Sequence, residues 1–330
     1  METYPMKIAH ATRQFVAAIA SSALLLAAPC AMALDAVKIL APAAPGGGWD
    51  QTARSMQRAL QSADIVKRVT VDNKPGAGGT IGLAQFVTSA KGDPQALMVG
   101  GMVMVGAILV NGSPVNLSQV TPVARLTGEY EVIVVSAASK IQKLSDLVAL
   151  LKTNPGAVSW GGGSAGATDH LLAAMIARSA GIDPAKINYI AHAGGGEAQA
   201  AILGGHVTVG VSGWGEFAAQ VKAGKLRALA ISSAERLPDV KDVPTLKEQG
   251  VDVVLANWRA LFAAPGINAA QKAELVAAID RAVKTPSWKE TLDKNEWTDL
   301  YLSGDAFKKF LDTEQPRISE IVTSLGLAKK

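Results

Sequence analysis

Ser164 stands in Gly162-Gly163-Ser164-Ala165-Gly166, a G-x-S-x-G pattern. On a sharp turn from strand to helix, such a serine is the exposed nucleophile of a hydrolase, with an acid and then a histidine following it in the chain. The histidines after Ser164 are His170, His192 and His206, and residues 207–330 contain none. A hydrolase of this kind places its histidine after a late strand, so an exported serine hydrolase using Ser164 is the alternative reading and not the leading one. The same stretch matches G-x-G-x-x-G at Gly161, Gly163 and Gly166, with Asp183 beyond it, but a lone match of this kind does not specify a dinucleotide site. His170, His192 and His206 have neither H-x-H nor H-E-x-x-H spacing, so no metal site is expected, and no cofactor.

Glycine carries the stronger signal. Of 32 glycines, 22 fall in six short clusters. Four clusters share one context of strand, glycine loop and helix start: PGGGWDQTAR, NKPGAGGTIG, GGGSAGATDH and HAGGGEAQAAI. Without a Cβ, backbone N–H groups can turn toward a ligand that approaches closely. The first turn of a helix adds unpaired N–H groups and partial positive charge. Together these make an anion site that needs no lysine or arginine. Asp50, Asp169 and Glu197 each sit at one of the helix starts, where capping and dipole compensation are the default roles. Trp49, Trp160 and Trp214 adjoin glycine loops as pocket walls or as packing groups.

Short apolar runs alternate with stretches of helical period. Strands are expected at 37–40, 69–73, 96–100, 130–135, 157–160, 187–190, 207–211, 227–231 and 258–263. Helical faces read as Ala53/Met56/Leu60/Ala63, Leu144/Leu147/Val148/Leu151 and Leu171/Leu172/Met175/Ile176. This alternation predicts parallel sheets covered by helices. The last 60 residues read as helices only, with Pro316 ending or kinking the final one.

The chain has 330 residues, 49% hydrophobic and 18% charged, which excludes a disordered protein and suits two domains. Lys7 and Arg13, the apolar run from Phe15 to Ala28, and Ala31-Met32-Ala33 form the pattern of a secretory signal over residues 1–33, cleaved near Ala33. Pro29 before Cys30 argues against a lipoprotein anchor, so the expected product is soluble, cysteine-free and exported to the periplasm. Removing Glu2, Lys7 and Arg13 takes the formal net charge from +4 to +3. The basic residues are scattered, so nucleic acid is not an expected partner. Two extended runs, 130–135 and 258–263, are each followed by a break and a helix. They would carry the chain across twice, making residues 137–257 a domain II inserted between 34–136 and 258–330 of domain I.

The segments APAAPGGGWDQTAR, DNKPGAGGTIGLAQF, GGMVMVGA, ARLTGEYEVIVV, SWGGGSAGATDH, GGGEAQAAILGG, RALAISSAERLP, VPTLKEQGVDV and NWRALFAAPG span almost the whole chain after the signal. It resembles the substrate-binding receptors of tripartite tricarboxylate transporters, the Bug or TctC-like family, and PGGGWD with LTGEYEVIVV resembles the tricarboxylate-type branch. The resemblance implies an α/β, type II periplasmic binding protein fold, two α/β domains joined by a hinge with the ligand cleft between them, and no catalysis. It implies that one carboxylate is held by Gly47, Gly48, Trp49, Asp50, Ala77, Gly78 and Gly79 on one side. Ser164, Ala165, Gly166, Ala167, Thr168, Gly195, Gly196 and Glu197 are implied on the other. Ala167 stands where the family commonly has glycine, and His192 lies just outside the motif. Further carboxylates would meet Arg54, Arg125, Arg259, His170 or His192, which the sequence does not rank. The expected function is a periplasmic, monomeric receptor for a citrate-like di- or tricarboxylate, feeding a membrane permease of one large and one small subunit. A periplasmic sensor for a signalling partner is the other non-enzymatic reading.

Overall fold

The structure is a computed structural model that describes residues 34–192 and 195–329. The signal segment expected over residues 1–33 and the start of the fourth glycine loop, Ala193 and Gly194, lie outside the described residues. In chain order the elements are β1 (Ala36–Ala41), α1 (Gly48–Ser62), β2 (Arg68–Asn73), α2 (Thr80–Ser89), β3 (Ala96–Gly101) and α3 (Met102–Asn111). There follow β4 (Thr121–Ser136), α4 (Leu144–Thr153), β5 (Ser159–Gly162), α5 (Thr168–Ser179), β6 (Asn188–Ala191), α6 (Gly195–Leu203), β7 (Val209–Gly213) and α7 (Trp214–Lys222). The chain closes with β8 (Leu226–Ile231), β9 (Ala256–Ala263), α8 (Ala269–Ala282), α9 (Pro286–Lys294), β10 (Thr298–Ser303) and α10 (Gly304–Ser324).

The ten strands run β2-β1-β3-β9-β4-β7-β5-β6, with β8 and β10 also paired to β4. β4 joins two halves: Thr121–Tyr130 pairs with β9, and Glu131–Ser136 pairs with β7 and β8. The outer pairs β1–β2, β1–β3, β5–β6 and β5–β7 are parallel, as the alternation of strands and helices predicts. The central pairs are not. β3–β9, β4–β9, β4–β7, β4–β8 and β4–β10 are all antiparallel. The fold is mixed α/β, and Leu34–Lys330 form one unit.

Helices cover both faces, which is why Val132–Val135 are buried without alternation. α1 buries Ala53, Met56 and Leu60 as its period requires; Ala63 lies past the helix end and is exposed. α4 buries Leu144, Leu147 and Leu151, and α5 buries Leu171, Leu172, Met175 and Ile176. Two expectations fail near the C-terminus. The last 60 residues contain a strand, β10, whose mostly half-exposed residues pair with β4 at the sheet and so give little apolar signal. And α10 runs straight through Pro316 to Ser324. An interior proline costs a helix about 3 kcal/mol. The burial of Leu311, Ile318, Ile321 and Val322 on one face of α10, with the Glu314–Arg317 ion pair alongside, offsets that.

The pairing of β3 with β9 is tight at Gly101, where an added Cβ would overlap the Trp258 carbonyl oxygen on the neighbouring strand. Gly101→Ala should therefore destabilise by about 1–3 kcal/mol. Gly156→Ala, whose Cβ would meet nothing closer than 3.7 Å, should be close to neutral in the same urea titration.

Candidate functional site

The first glycine loop opens α1 at Gly48, one turn earlier than a start at Asp50 or Thr52 would give. Asp50 is buried and fully used. It accepts from the Gly46 N–H at 2.8 Å and from Asn73 Nδ2 at 2.9 Å, and it pairs with Arg54. Burial raises its pKa, but these hydrogen bonds outweigh that and hold it below its ordinary value. Asp50 is thus a brace that pins the loop to the end of β2. Among the described residues the N–H groups of Gly48 and Trp49 have no acceptor, which leaves them available to a ligand.

The second loop forms a short turn, Ala77–Gly79, before α2. Its glycines are there for close approach. A Cβ on Gly78 would lie 2.5 Å from that of Ala107, and one on Gly79 2.5 Å from the ring of Trp49. Ala77 carries a positive φ of 48° and its carbonyl accepts from Asn111 Nδ2. Ala107 and Asn111 both belong to α3, so the second loop leans on this helix, and the first reaches the second through Trp49.

The third loop comes from the other half of the sheet and reaches the same helix. A Cβ on Gly106 of α3 would lie 2.6 Å from the Gly166 carbonyl oxygen, and one on Gly166 would lie 2.6 Å from Val110. Inside the loop, the Gly163 N–H donates to Asp169 at 2.6 Å, and the Gly166 N–H donates to His170 Nδ1 at 3.1 Å. Tyr189 stacks on His170 at 4.1 Å and donates to the Gly163 carbonyl. Burial pushes the His170 pKa down to about 4, so its ring is neutral at pH 7 and its Nδ1 serves as an acceptor. Ser164 and Ala165 are exposed, Ala167 precedes the helix, and Thr168 opens it. The Thr168 hydroxyl is buried without a hydrogen-bond partner. Ser164 and His170 do not form a nucleophile–base pair: the serine hydroxyl bonds to nothing among the described residues, and His170 Nδ1 faces Gly166.

Gly78, Gly79 and Gly166 thus converge on α3, with Trp49, Gly47, Gly48, Ala77 and Thr168 beside them. Gly195 and Gly196 open α6, two residues before a start at Glu197, and Glu197 is exposed in its first turn.

The electrostatics behind the loops rest on acids that motif reading passed over. Glu131 is 1% exposed, with one carboxylate oxygen unpartnered. Burial first, then Asp169, Glu129 and Glu216, raise its pKa well above the ordinary carboxylate value. Burial raises Asp169 too, to about 6, so the pair holds one proton above the ordinary carboxylate range. The signal for this was in the chain: Glu129 and Glu131 alternate inside an otherwise apolar strand sequence.

The cationic candidates sort clearly. Arg54 is committed to Asp50 and Asn73. Arg125 lies over Phe310 and donates to the Leu300 carbonyl, beside Glu314 and Arg317. His192 has a buried, unpartnered Nε2 beside Gly161. Arg259 is 7% exposed, pairs with Glu129, lies 4.3 Å over the Trp297 ring and has an unpartnered Nη1. It borders a cavity of about 230 Å³ with Ala43, Gly48, Trp49, Val103 and Asn257. Among the described residues no helix is long and apolar enough to cross a membrane, and no acidic or histidine group is arranged to hold a metal.

A family model described as "Tripartite tricarboxylate transporter family receptor" matches residues 52–327. The "UPF0065 protein in gbd 5'region" of Cupriavidus necator is 30% identical over 264 residues, 79% of each chain. A TctC solute binding protein from Polaromonas, solved without ligand, superposes with a TM-score of 0.77 at 27% identity, covering 88% of this chain and 98% of that one. MatC from Rhodopseudomonas palustris, solved with bound malate, superposes with a TM-score of 0.67 at 23% identity, covering 87% and 98%.

The proton held by the pair has a measurable consequence. Unfolded carboxyls release their protons near pH 4, whereas the folded pair holds one to higher pH. Between those limits the folded pair binds more protons than the unfolded one, so its contribution to stability falls as pH rises, by about 1.4 kcal/mol for each pH unit of elevation. His170, lowered to about 4, contributes the opposite slope below its ordinary value. Glu131→Gln should change this slope by removing the Glu131 contribution, leaving the part that the buried Asp169 supplies. Urea midpoints from pH 4 to 8 test it, and identical slopes in both proteins would show that Glu131 holds no such proton.

Proposed function

This chain belongs to the tripartite tricarboxylate transporter receptor family, and on that footing we propose that it is a periplasmic receptor. It captures a small di- or tricarboxylate anion, citrate-like in class, and delivers it to a membrane permease of one large and one small subunit. The observation that carries this reading is the convergence on α3 of glycine loops from both halves of the sheet, with free N–H groups at Gly48 and Trp49 and the unpartnered Thr168 hydroxyl nearby. Such donors bind an anion through the backbone and the helix dipole, with no covalent chemistry. Malate, bound in the R. palustris neighbour, is a member of the same chemical class.

In this reading one carboxylate lies between the loops Gly47–Asp50 and Ala77–Gly79 and the loops Ser164–Thr168 and Gly195–Glu197. Asp50 contributes by bracing and the others by their amides and hydroxyls. Residues 34–136 with 258–330 form one domain and residues 137–257 the other, closing on the ligand about β4 and β9. Residues 1–33 are the export signal, cleaved near Ala33, and the secreted product is a monomer.

Thermal denaturation of the protein from Leu34 onward, with a panel of carboxylates, tests the reading. A ligand at about 100 times its Kd should add about 2.7 kcal/mol of stability. Gly166→Val, which places a branched side chain against Val110 at a positive φ of 77°, should abolish that gain. Absence of stabilisation by every carboxylate in the panel would reject the receptor assignment.

A further inference from the structure

The backbone loops account for one carboxylate, and the wall beside them contains a second kind of donor. Among the described residues, Arg259 is the only charged one lining the 230 Å³ cavity. That volume is below the roughly 300–1,000 Å³ of drug-sized ligand sites. The cavity is bordered by the first residues of two helices, Gly48 and Trp49 of α1 and Val103 of α3, whose N-termini carry partial positive charge. The guanidinium is held on two sides, by the Glu129 carboxylate and by the face of Trp297. Gly48 is what admits it: a Cβ there would stand 2.9 Å from Arg259 Nη2. What remains is Nη1, buried and without a partner. A buried unpaired donor on a charged group is costly, and an arriving acceptor removes that cost.

The charge count limits the acceptor. Glu129 already neutralises Arg259. The adjoining cavity of about 680 Å³, which shares Gly48 and Arg259 as its wall, is lined by Glu129, Glu216 and Glu296 against Arg259, Lys222 and Lys294. The surroundings are therefore close to neutral and supply no concentrated charge for a third carboxylate.

We propose that Arg259 holds the second carboxylate of a dicarboxylate in the cavity beside Gly48, with Glu129 as the positioning residue that orients the guanidinium and sets the site against trianions. This rests on the receptor reading given above and selects dicarboxylates within the class it names.

Isothermal titration of the protein from Leu34 onward with straight-chain diacids of four to six carbons, their monoamides, and citrate separates the two claims. If no carboxylate binds, the receptor reading fails. If a diacid binds better than its monoamide and than citrate, Arg259→Gln should weaken that diacid about 10- to 100-fold and leave the monoamide unchanged. Arg259→Lys should fall between. Glu129→Gln should move preference toward citrate, which a purely structural role for Glu129 would not do. A diacid bound no better than its monoamide, equal losses for both ligands in Arg259→Gln, or no loss for either, overturns the assignment and leaves the receptor reading standing. Because Arg259→Gln strands the Glu129 charge, the double variant Glu129→Gln/Arg259→Gln is the control for folding. It should melt like the parent and still bind the diacid weakly. Restored diacid binding in the double variant would overturn the role given to Arg259.

Discussion

The structure depends on the absence of side chains around α3. Gly78 and Gly79 from one loop, Gly166 from another and Gly106 on the helix itself are each within 2.6 Å of a neighbouring group once a Cβ is imagined. Close packing at native density leaves no room for a methyl at such distances. A single helix can gather loops from both halves of the sheet only because each presents bare backbone. The loops' free N–H groups are brought together by the same feature. Packing and anion chemistry are therefore one constraint here: a residue that widened the contact would separate the donors.

That constraint also explains which parts of the fold were legible in the chain. Short apolar runs ending in glycine mark β3, β5 and β7, since these strands reach their C-terminal ends where the loops begin, and the loops themselves stand out by clustering alone. The strand β4 was seen only from Tyr130 onward. Its first nine residues mix Pro122, Arg125, Thr127 and Gly128 with apolar residues and carry little periodic signal. Pairing with β9 and β10, residues more than a hundred positions away, makes them a strand. Long-range pairing also explains the antiparallel centre and the late strand β10. Local period reports which face of an element is buried, and it does not report what lies alongside.

The site was legible in its backbone and much less in its side chains. Asp50 reads from sequence either as a cap or as a ligand contact, and its three hydrogen bonds make it a brace. Among five cationic candidates, type and spacing offered no ranking, because each is distinguished by partners from distant segments. Glu131 and Asp169 lie 38 positions apart in the sequence yet titrate as a pair, and the segments that contain them, LTGEYEVIVV and GGGSAGATDH, give no sign that the two meet. A pair of acids in a buried strand is the one local clue that ionisable groups were being placed deliberately in the core.

The glycines also need dividing by purpose. Gly48 looks from the sequence like part of an anion cradle, yet its missing side chain is what lets the Arg259 guanidinium lie against the start of α1. Gly79 likewise makes room for the Trp49 ring. These two positions bring a cation and an aromatic wall up to backbone donors that are themselves too short to read a ligand's far end. A backbone cradle alone would accept any carboxylate, since every carboxylate offers the same two oxygens. Discrimination has to come from groups that glycine admits, and the selectivity of this site therefore resides in the side chains packed against the loops more than in the loops themselves.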